Sequence, residues 1–287
     1  MNQPSFATHN DGLFATLSPF IVATPGALAT LDPTPFGLAS RWHIDPLVAA
    51  NGPFFRLLQR LDQLTFGPEG MPMDRWVFYE CAELPGAIYG FALPAAQLTP
   101  DEREAMQVPA DYAGPVPFAM YIAIPMRTAD ASVRTYFGHN LASLNRVFPE
   151  RRLAHLGSIT KSLALKAFRA QRFFGATQWS SAALFIHTKF GPLELETAWT
   201  PAHSIPQTLT YAFDVSDESL RAAAGDPTMT LLRPSPDRFV AADDERAMQE
   251  LQVAIERGER FVLTGAAEVR DGRRFHPIAV APAQMRV

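Results

Sequence analysis

Proline is the feature that most constrains how this chain can fold, because 25 of its 287 residues are proline and only 17 are glycine. Proline has no amide hydrogen to donate and fixes its own φ angle, so it ends helices and interrupts central strands. The sequence therefore predicts many short elements with sharp ends. Hydrophobic residues make up 47% of the chain and charged residues 19%, which is typical of a globular chain with a sizeable core.

Several classes of protein are excluded by what the sequence lacks. Cys81 is the one cysteine, so neither an internal disulfide framework nor a thiolate-built zinc site is expected. None of the seven histidines forms an i, i+4 pair or an H-E-x-x-H motif, so we predict no metal site. No basic start precedes an apolar run, and no apolar run reaches the roughly 18 to 20 residues of a membrane span. We expect a cytoplasmic protein, and the sequence leaves open whether it forms a homodimer.

The hydrophobic pattern predicts an α/β (α+β) fold with a mixed, mostly antiparallel central sheet flanked by helices. Apolar residues at helical spacing predict a helix over 53–64, and Thr99 with Pro100 predicts the start of a short acidic helix. Strands are predicted at 76–83, 87–93 and 116–126, the first two as a hairpin. Residues 133–148 fit either a helix or a strand, with a strand favoured at 141–147.

The second half of the chain alternates between helical and strand patterns. A helix is predicted from Gly157 to a stop at Gly175, followed by the short strand Ala-Thr-Gln-Trp. A helix that begins near Ser180 and Ser181 and ends at Gly191 comes next. Two strands, a helix over 243–257 and two further strands complete the pattern. We divide the chain into an extended leader (1–45), a core domain (46–215) and a C-terminal α+β extension (216–287).

The charge is unevenly distributed along the chain. The window from residue 127 to 189 holds ten basic residues and two acids and so carries +8, while the whole chain carries −4. Such an asymmetry indicates an anionic ligand, although a solvated basic face would produce it too. Aromatic residues in this window could also indicate single-stranded nucleic acid. Those in the helix lie on its apolar side, so core packing is favoured over a nucleic-acid partner.

The start of the helix predicted at Gly157 could bind a pyrophosphate. Free backbone amides and the positive end of the helix dipole favour an anion there, and Gly157 lets it approach closely. Ser158 adds a hydroxyl, and Arg151, Arg152 and Lys161 add positive charge within about one turn. An alternative is that Gly138 opens a helix after the preceding strand, with Arg134 as the nearby cation.

Three segments resemble the GNAT superfamily of acyl-CoA-dependent N-acyltransferases, over about residues 40–215. Residues 54–90 are similar to the family's helix, W-x-F and apolar hairpin. The segment R-L-A-H-L-G-S at 152–158 is similar to its pyrophosphate-binding pattern, with His155 at the first glycine position. The segment S-S-A-A-L-F-I-H-T-K-F-G at 180–191 is similar to its C-terminal Asn-x-x-Ala-x-x-Leu-Tyr-x-x-x-Gly motif, with Ser180 replacing Asn, His187 replacing Tyr and Pro192 following the glycine.

The resemblance implies an acyl-CoA co-substrate, no covalently bound cofactor and a small amine acceptor. His187 stands where the family's tyrosine commonly faces the departing sulfur, so the resemblance implies that it protonates the thiolate. A histidine on a short amphipathic helix could equally be structural. The residues implied in binding the cofactor are Arg152, His155, Leu156, Gly157, Ser158 and Lys161.

Glu80 is the candidate general base. In a strand over 76–83, Phe78, Glu80 and Ala82 would share one half-buried face, and burial would raise the pKa of the Glu80 carboxyl. The predicted function is direct transfer of an acyl group from a thioester to a small amine. Two alternatives stay open, namely a hot-dog-type thioester enzyme and a non-catalytic ligand-binding relative of the acyltransferase fold.

Overall fold

The computed structural model describes residues 11–83, 88–151 and 153–281. Their contacts form two units. The first comprises Met1–Ala170 with Ala224–Asp226, and the second comprises Gln171–Ala223 with Pro227–Val287. The division into leader, core and extension follows sequence order, not contacts, and stays a prediction. Within the described ranges, no helix is both long and apolar enough to cross a membrane.

The first unit is built from helices and strands that alternate in short lengths. Its helices are α1 (Asp11–Thr16), α2 (Pro25–Leu28), α3 (Gly52–Phe66), α4 (Arg75–Glu83), α5 (Pro100–Ala105) and α6 (Leu156–Ala167). Its strands are β1 (Ser18–Val22), β2 (Trp42–Ile44), β3 (Ile88–Pro94), β4 (Pro115–Met126) and β5 (Thr135–Ser143). Single 3-10 turns occur at Pro35–Gly37, Ala49–Asn51, Gly67–Glu69, Ala95–Gln97, Leu144–Arg146 and Pro149–Arg151.

These strands form a sheet in the order β2-β1-β3-β4-β5. The β1–β2 pair is parallel and the other pairs are antiparallel, so the sheet is mixed and mostly antiparallel, as predicted. Helices α3 and α6 both pack against β4, whose residues from Val116 to Ala123 are buried. The apolar leader is part of this core, because Phe20 and Ile21 of β1 are fully buried between β2 and β3.

Two of these helices were predicted from local sequence signals alone. The helix predicted over 53–64 is α3, whose apolar face (Phe54, Leu58 and Leu61) is buried. The short acidic helix is α5, where Thr99 and Glu102 form a capping box. Both predictions are confirmed, because periodicity and capping depend only on residues a few positions apart.

The strand predicted at 76–83 was wrong, because these residues form helix α4. Phe78 and Cys81, which are three positions apart, are both buried, and the ring of Tyr79 stacks on Phe55 of α3 at 4.7 Å. Packing against α3 therefore outweighs the β propensity of the aromatic residues. The turn predicted at 84–86 lies outside the described residues. Strand β3 is confirmed, but it pairs with β1 and β4 and not with the 76–83 segment.

Two further boundaries differ from those predicted. The ambiguous segment 133–148 is strand β5 up to Ser143, followed by a 3-10 turn at Leu144–Arg146, so the predicted strand lies too far towards the C-terminus. Helix α6 ends at Ala167, and Arg169 then adopts a φ of 54°, which continues neither a helix nor a strand. Gly175, the predicted end of the helix, lies instead inside the next strand.

The second unit contains the remaining elements. Its strands are β6 (Arg172–Gln178), β7 (Leu193–Thr197), β8 (Thr208–Asp214), β9 (Arg238–Ala241), β10 (Phe261–Leu263), β11 (Glu268–Arg270) and β12 (Arg273–Val280). Its helices are α7 (Ala183–His187), α8 (Asp217–Ala223) and α9 (Glu245–Glu256), with a 3-10 turn at Thr188–Phe190.

The sheet of the second unit is antiparallel. Its strands follow the order β6-β8-β7-β10-β12, and β9 and β11 both pair with β12. The predicted helix over 243–257 is confirmed as α9, capped by the Asp244 side chain, and β7, β8 and β12 are confirmed as strands. Helix α8 and strand β9 are short elements that the sequence pattern did not indicate.

Candidate functional site

Helix α6 begins where the sequence predicts the pyrophosphate site. His155 precedes its first residue with φ 60° and ψ 4°, in the left-handed region. Glycine adopts this conformation most readily, and His155 occupies the first glycine position of the pattern that the segment resembles. The backbone therefore has the conformation that a glycine would favour there, although the side chain departs from the pattern.

The start of helix α6 is partly exposed, and its own first turn carries no acid. Ala154 and His155 are exposed and Gly157 is half-buried, while Leu156 and Ser158 are buried. Among the described residues, no acid lies in the first turn of α6, and the His155 side chain makes no capping hydrogen bond. The Ser158 hydroxyl donates to the His155 carbonyl at 3.1 Å and so belongs to the helix start itself. The positive end of the helix dipole at this terminus therefore favours an anion.

The predicted cations near this end occupy different environments. Arg151 forms an ion pair with the buried carboxylate of Glu102, and its guanidinium lies 5.6 Å from the Phe118 ring centroid. Lys161 is fully buried, with Nζ 5.8 Å from the ring centroid of Tyr121, and burial holds its pKa well below 10.5. Its contact with a phosphate stays a prediction. Arg152 lies outside the described residues.

Acids from other parts of the chain pair with some of the basic residues of the 127–189 window. Arg146 pairs with Glu69, whose position in the sequence is far from the basic window. Arg172 pairs with Glu194 at 3.1 Å and with Asp214 at 2.8 Å. Because these acids come from outside the window, its net charge overstates the positive charge available to a ligand.

The alternative phosphate site at Gly138 was wrong. Gly138 lies within β5 and is paired opposite Ala123 of β4, so it opens no helix. The proposed partner cation, Arg134, precedes β5 and donates to the Thr30 carbonyl at 3.2 Å.

His187 ends the short helix α7 in the second unit and is buried. Its ring centroid lies 5.2 Å from that of Tyr211, which is itself fully buried on β8. Burial raises the pKa of the Tyr211 hydroxyl well above 10.0, so this hydroxyl stays neutral. Ser181 is one of the two predicted caps, and its hydroxyl oxygen accepts a hydrogen bond from the Ala183 amide at 3.1 Å. Gly191, the predicted end of this helical segment, follows the 3-10 turn with a φ of 127°.

Glu80 does not have the environment on which its predicted role depended. It lies on helix α4 and is exposed, so it does not alternate with Phe78 and Ala82 on a half-buried strand face. The physical reason for assigning a general base to Glu80 is therefore absent.

The structure also brings together a polar group that the sequence did not indicate. His139 and Asn140 on β5 lie next to Asp62, a carboxylate buried on α3. Asp62 and Asn140 are 78 positions apart, so no local spacing connects them. The adjacent His-Asn pair in an apolar strand was the one signal in the sequence. Among the described residues, no group of three or more His, Cys, Asp or Glu side chains is arranged to hold a metal ion.

Comparisons with known proteins add no family assignment. No protein-family model matches the sequence, and no curated protein matches it either.

Proposed function

We propose that the protein is an acyltransferase, a divergent relative of the GNAT superfamily, that transfers an acyl group from acyl-CoA or a related thioester directly to a small amine. The proposal is carried by the start of helix α6. There, a partly exposed N-terminal end carries no acid in its first turn and follows a residue in a glycine-like conformation. A CoA pyrophosphate needs several donors at once, and such an end supplies them.

The order of the elements supports the same family. Antiparallel strands β3, β4 and β5 come first and are followed by α6, β6, α7 and the antiparallel pair β7 and β8. This is the strand–helix–strand–helix–hairpin order on which the resemblance rests. A hot-dog fold wraps its sheet around one central helix, whereas here both α3 and α6 pack against β4. The acyltransferase is therefore favoured over the hot-dog enzyme.

The reaction requires an amine to attack the thioester carbonyl and a thiolate to leave. His187 is our proposed donor of the proton to that thiolate. Its ring lies against Tyr211 and not in solvent, which would hold it in one orientation. His187→Gln should lower the rate of acyl transfer and leave CoA affinity within about twofold of wild type, because Gln keeps a polar side chain but cannot donate as an acid.

Calorimetric titration of Gly157→Asp and Gly157→Asn with acetyl-CoA and malonyl-CoA tests the binding site. The two side chains have nearly the same volume, but only Asp places a negative charge in the first turn of α6. Repulsion of roughly 1–3 kcal/mol from the phosphates should weaken the affinity of the Asp variant roughly 5- to 150-fold relative to the Asn variant. Circular dichroism of both variants checks that α6 is retained.

Turnover is measured as the release of free CoA thiol with a panel of small amines. If wild-type protein binds neither CoA thioesters at millimolar concentration nor a carrier-protein thioester, the proposal is refuted. CoA binding that responds to the Gly157 variants, without turnover on any amine, would favour a non-catalytic binding relative.

A further inference from the structure

The connection between helix α8 and strand β9 contains a stretch, 229–236, that forms neither a helix nor a strand nor a turn. No backbone amide or carbonyl of this stretch makes a hydrogen bond to another residue that the structure describes. Proline fixes its own φ angle and restricts the residue before it to extended backbone, so Pro234 and Pro236 hold residues 233–236 extended. The stretch is therefore extended without belonging to a sheet.

The exposure of the side chains in this stretch repeats every three residues. Leu231 and Pro234 are half-buried, and the two residues that follow each of them are exposed. A polyproline II helix has three residues per turn and no internal hydrogen bonds. A 3-10 helix also repeats every three residues, but it requires hydrogen bonds between its own backbone groups. The segment 231–236 therefore has the pattern of a polyproline II helix that packs on the second unit along one edge and exposes the other two.

The polyproline II segment is held in place by contacts at its middle and at its end. The Arg233 guanidinium donates to the Thr264 carbonyl at 2.7 Å and to the Thr188 carbonyl at 2.6 Å. Immediately after the segment, the Asp237 amide donates to the Ile278 carbonyl of β12 at 2.8 Å. Because the segment is already ordered by these contacts, a partner that binds it loses little free energy in ordering it.

The exposed edges of the segment present an apolar side chain together with free carbonyl groups. Leu232 is 94% exposed, more than any other large hydrophobic residue that the structure describes. Leu232 and Ser235 are three positions apart and share one exposed edge, while Arg233 and Pro236 share the other. Pro234 and Pro236 have no amide hydrogen, so the segment offers more carbonyl acceptors than amide donors. A partner must therefore supply an apolar recess for Leu232 and hydrogen-bond donors for the carbonyls.

We propose that the polyproline II segment 231–236 is the docking site for a partner protein whose groove is lined by tryptophan and tyrosine side chains. Aromatic grooves recognise such segments because the rings pack on apolar side chains, while indole N–H and phenol O–H groups can donate to carbonyls. Addition of the segment to the sheet of a partner is disfavoured, because Pro234 and Pro236 lack donors that a strand ladder needs. This inference goes beyond the proposed acyltransferase function and does not depend on it.

The test is calorimetric titration of the whole chain with purified SH3, WW and EVH1 domains, whose grooves are aromatic and bind polyproline II ligands. We expect at least one of the three domains to bind. Leu232→Ala and Pro236→Ala should each weaken that binding about fivefold or more, because each removes a side chain of an exposed edge. Leu47→Ala is the matched control, since Leu47 is 69% exposed in the first unit and its replacement should leave the affinity unchanged.

Absence of binding to all three domains at millimolar concentration overturns the inference, and so does binding that Leu232→Ala and Pro236→Ala leave unchanged. Sedimentation of the wild-type protein alone tests a different occupant. A dimer that Leu232→Ala dissociates would assign the segment to a second copy of this chain and would overturn the inference too. Circular dichroism checks that the variants, which change exposed side chains, keep the fold. A protein that binds no CoA thioester would refute the proposed function and leave this inference standing.

Discussion

Replacement of His276 by leucine should destabilise the protein through one buried hydrogen bond. His276 lies on β12 and is 2% exposed, and its Nε2 lies 2.8 Å from the Trp179 carbonyl. The carbonyl can only accept, so Nε2 carries the hydrogen. Nδ1 is buried without a hydrogen-bond partner among the described residues, so the neutral ring is the stable form.

The magnitude follows from what leucine leaves behind. The Trp179 carbonyl would lose its His276 donor in the interior, which costs about 1–3 kcal/mol. The edge-on contact between the His276 and Trp179 rings, with centroids 5.4 Å apart at 73°, contributes about 0.5–1.5 kcal/mol more. Leucine refills most of the volume, so a large cavity is not expected. We expect a loss of about 1.5–4.5 kcal/mol at neutral pH.

This loss should depend on pH. Burial lowers the pKa of His276 below 6.5, and the charge of Arg274 lowers it further, against the hydrogen bond to Trp179. Below pH 6.5, His276 binds a proton in the unfolded chain but stays neutral in the folded protein until a lower pH. Wild-type stability therefore falls by up to about 1.4 kcal/mol per pH unit from this group. His276→Leu lacks this proton, so its deficit relative to wild type should shrink as the pH falls.

The assay is urea unfolding followed by tryptophan fluorescence, at about pH 8 and about pH 5.5. His43→Leu is the control, since His43 is exposed on β2 and the change should stay within about 0.5 kcal/mol. A His276→Leu deficit no larger than that of the control, or one of equal size at both pH values, would show that this buried hydrogen bond does not stabilise the fold.

Two further predictions concern packing and thiol reactivity. A Cβ on Gly175 would lie 2.4 Å from Tyr211 Oη, so Gly175→Ala should cost about 1–3 kcal/mol in thermal or urea unfolding. At Gly26 a Cβ would meet nothing within 4 Å, so Gly26→Ala should be neutral or slightly stabilising, and equal effects of the two would contradict the prediction. Burial, together with the neighbouring Glu80, raises the pKa of the Cys81 thiol to about 11, so it should react with a thiol reagent at pH 7 far more slowly in the native protein than in urea. Labelling of native protein at the rate of a free thiol would be inconsistent with this burial.

The predictions that succeeded depended on neighbouring residues. Thr99 and Glu102, which form the capping box, are three positions apart. The apolar face of α3 repeats every three or four residues, so it too can be recognised within a short segment. Strands β4 and β8 were likewise indicated by the residues of their own segments. The start of α6 was predicted within one residue, because a glycine and a serine ahead of an apolar periodic segment are a local signal.

The predictions that failed depended on partners distant in the sequence. Residues 76–83 have strand-forming side chains, yet contact with Phe55 on α3 makes them a helix. With that helix, Glu80 lost the buried strand face on which its predicted role depended. The positive charge of the basic window is partly neutralised by Glu69 and Glu102, which no spacing in the sequence connects with it.

Propensity, capping and periodicity act within a few residues, so the short, sharply ended elements, the α/β class and the start of α6 could be predicted from the amino-acid sequence. Which polar groups lie together depends on tertiary packing. Asp62 reaches Asn140 because α3 packs on the sheet that contains β5, and a bulge then presents His139 beside it. Contacts of this kind depend on the packing of whole elements, which a linear pattern does not encode.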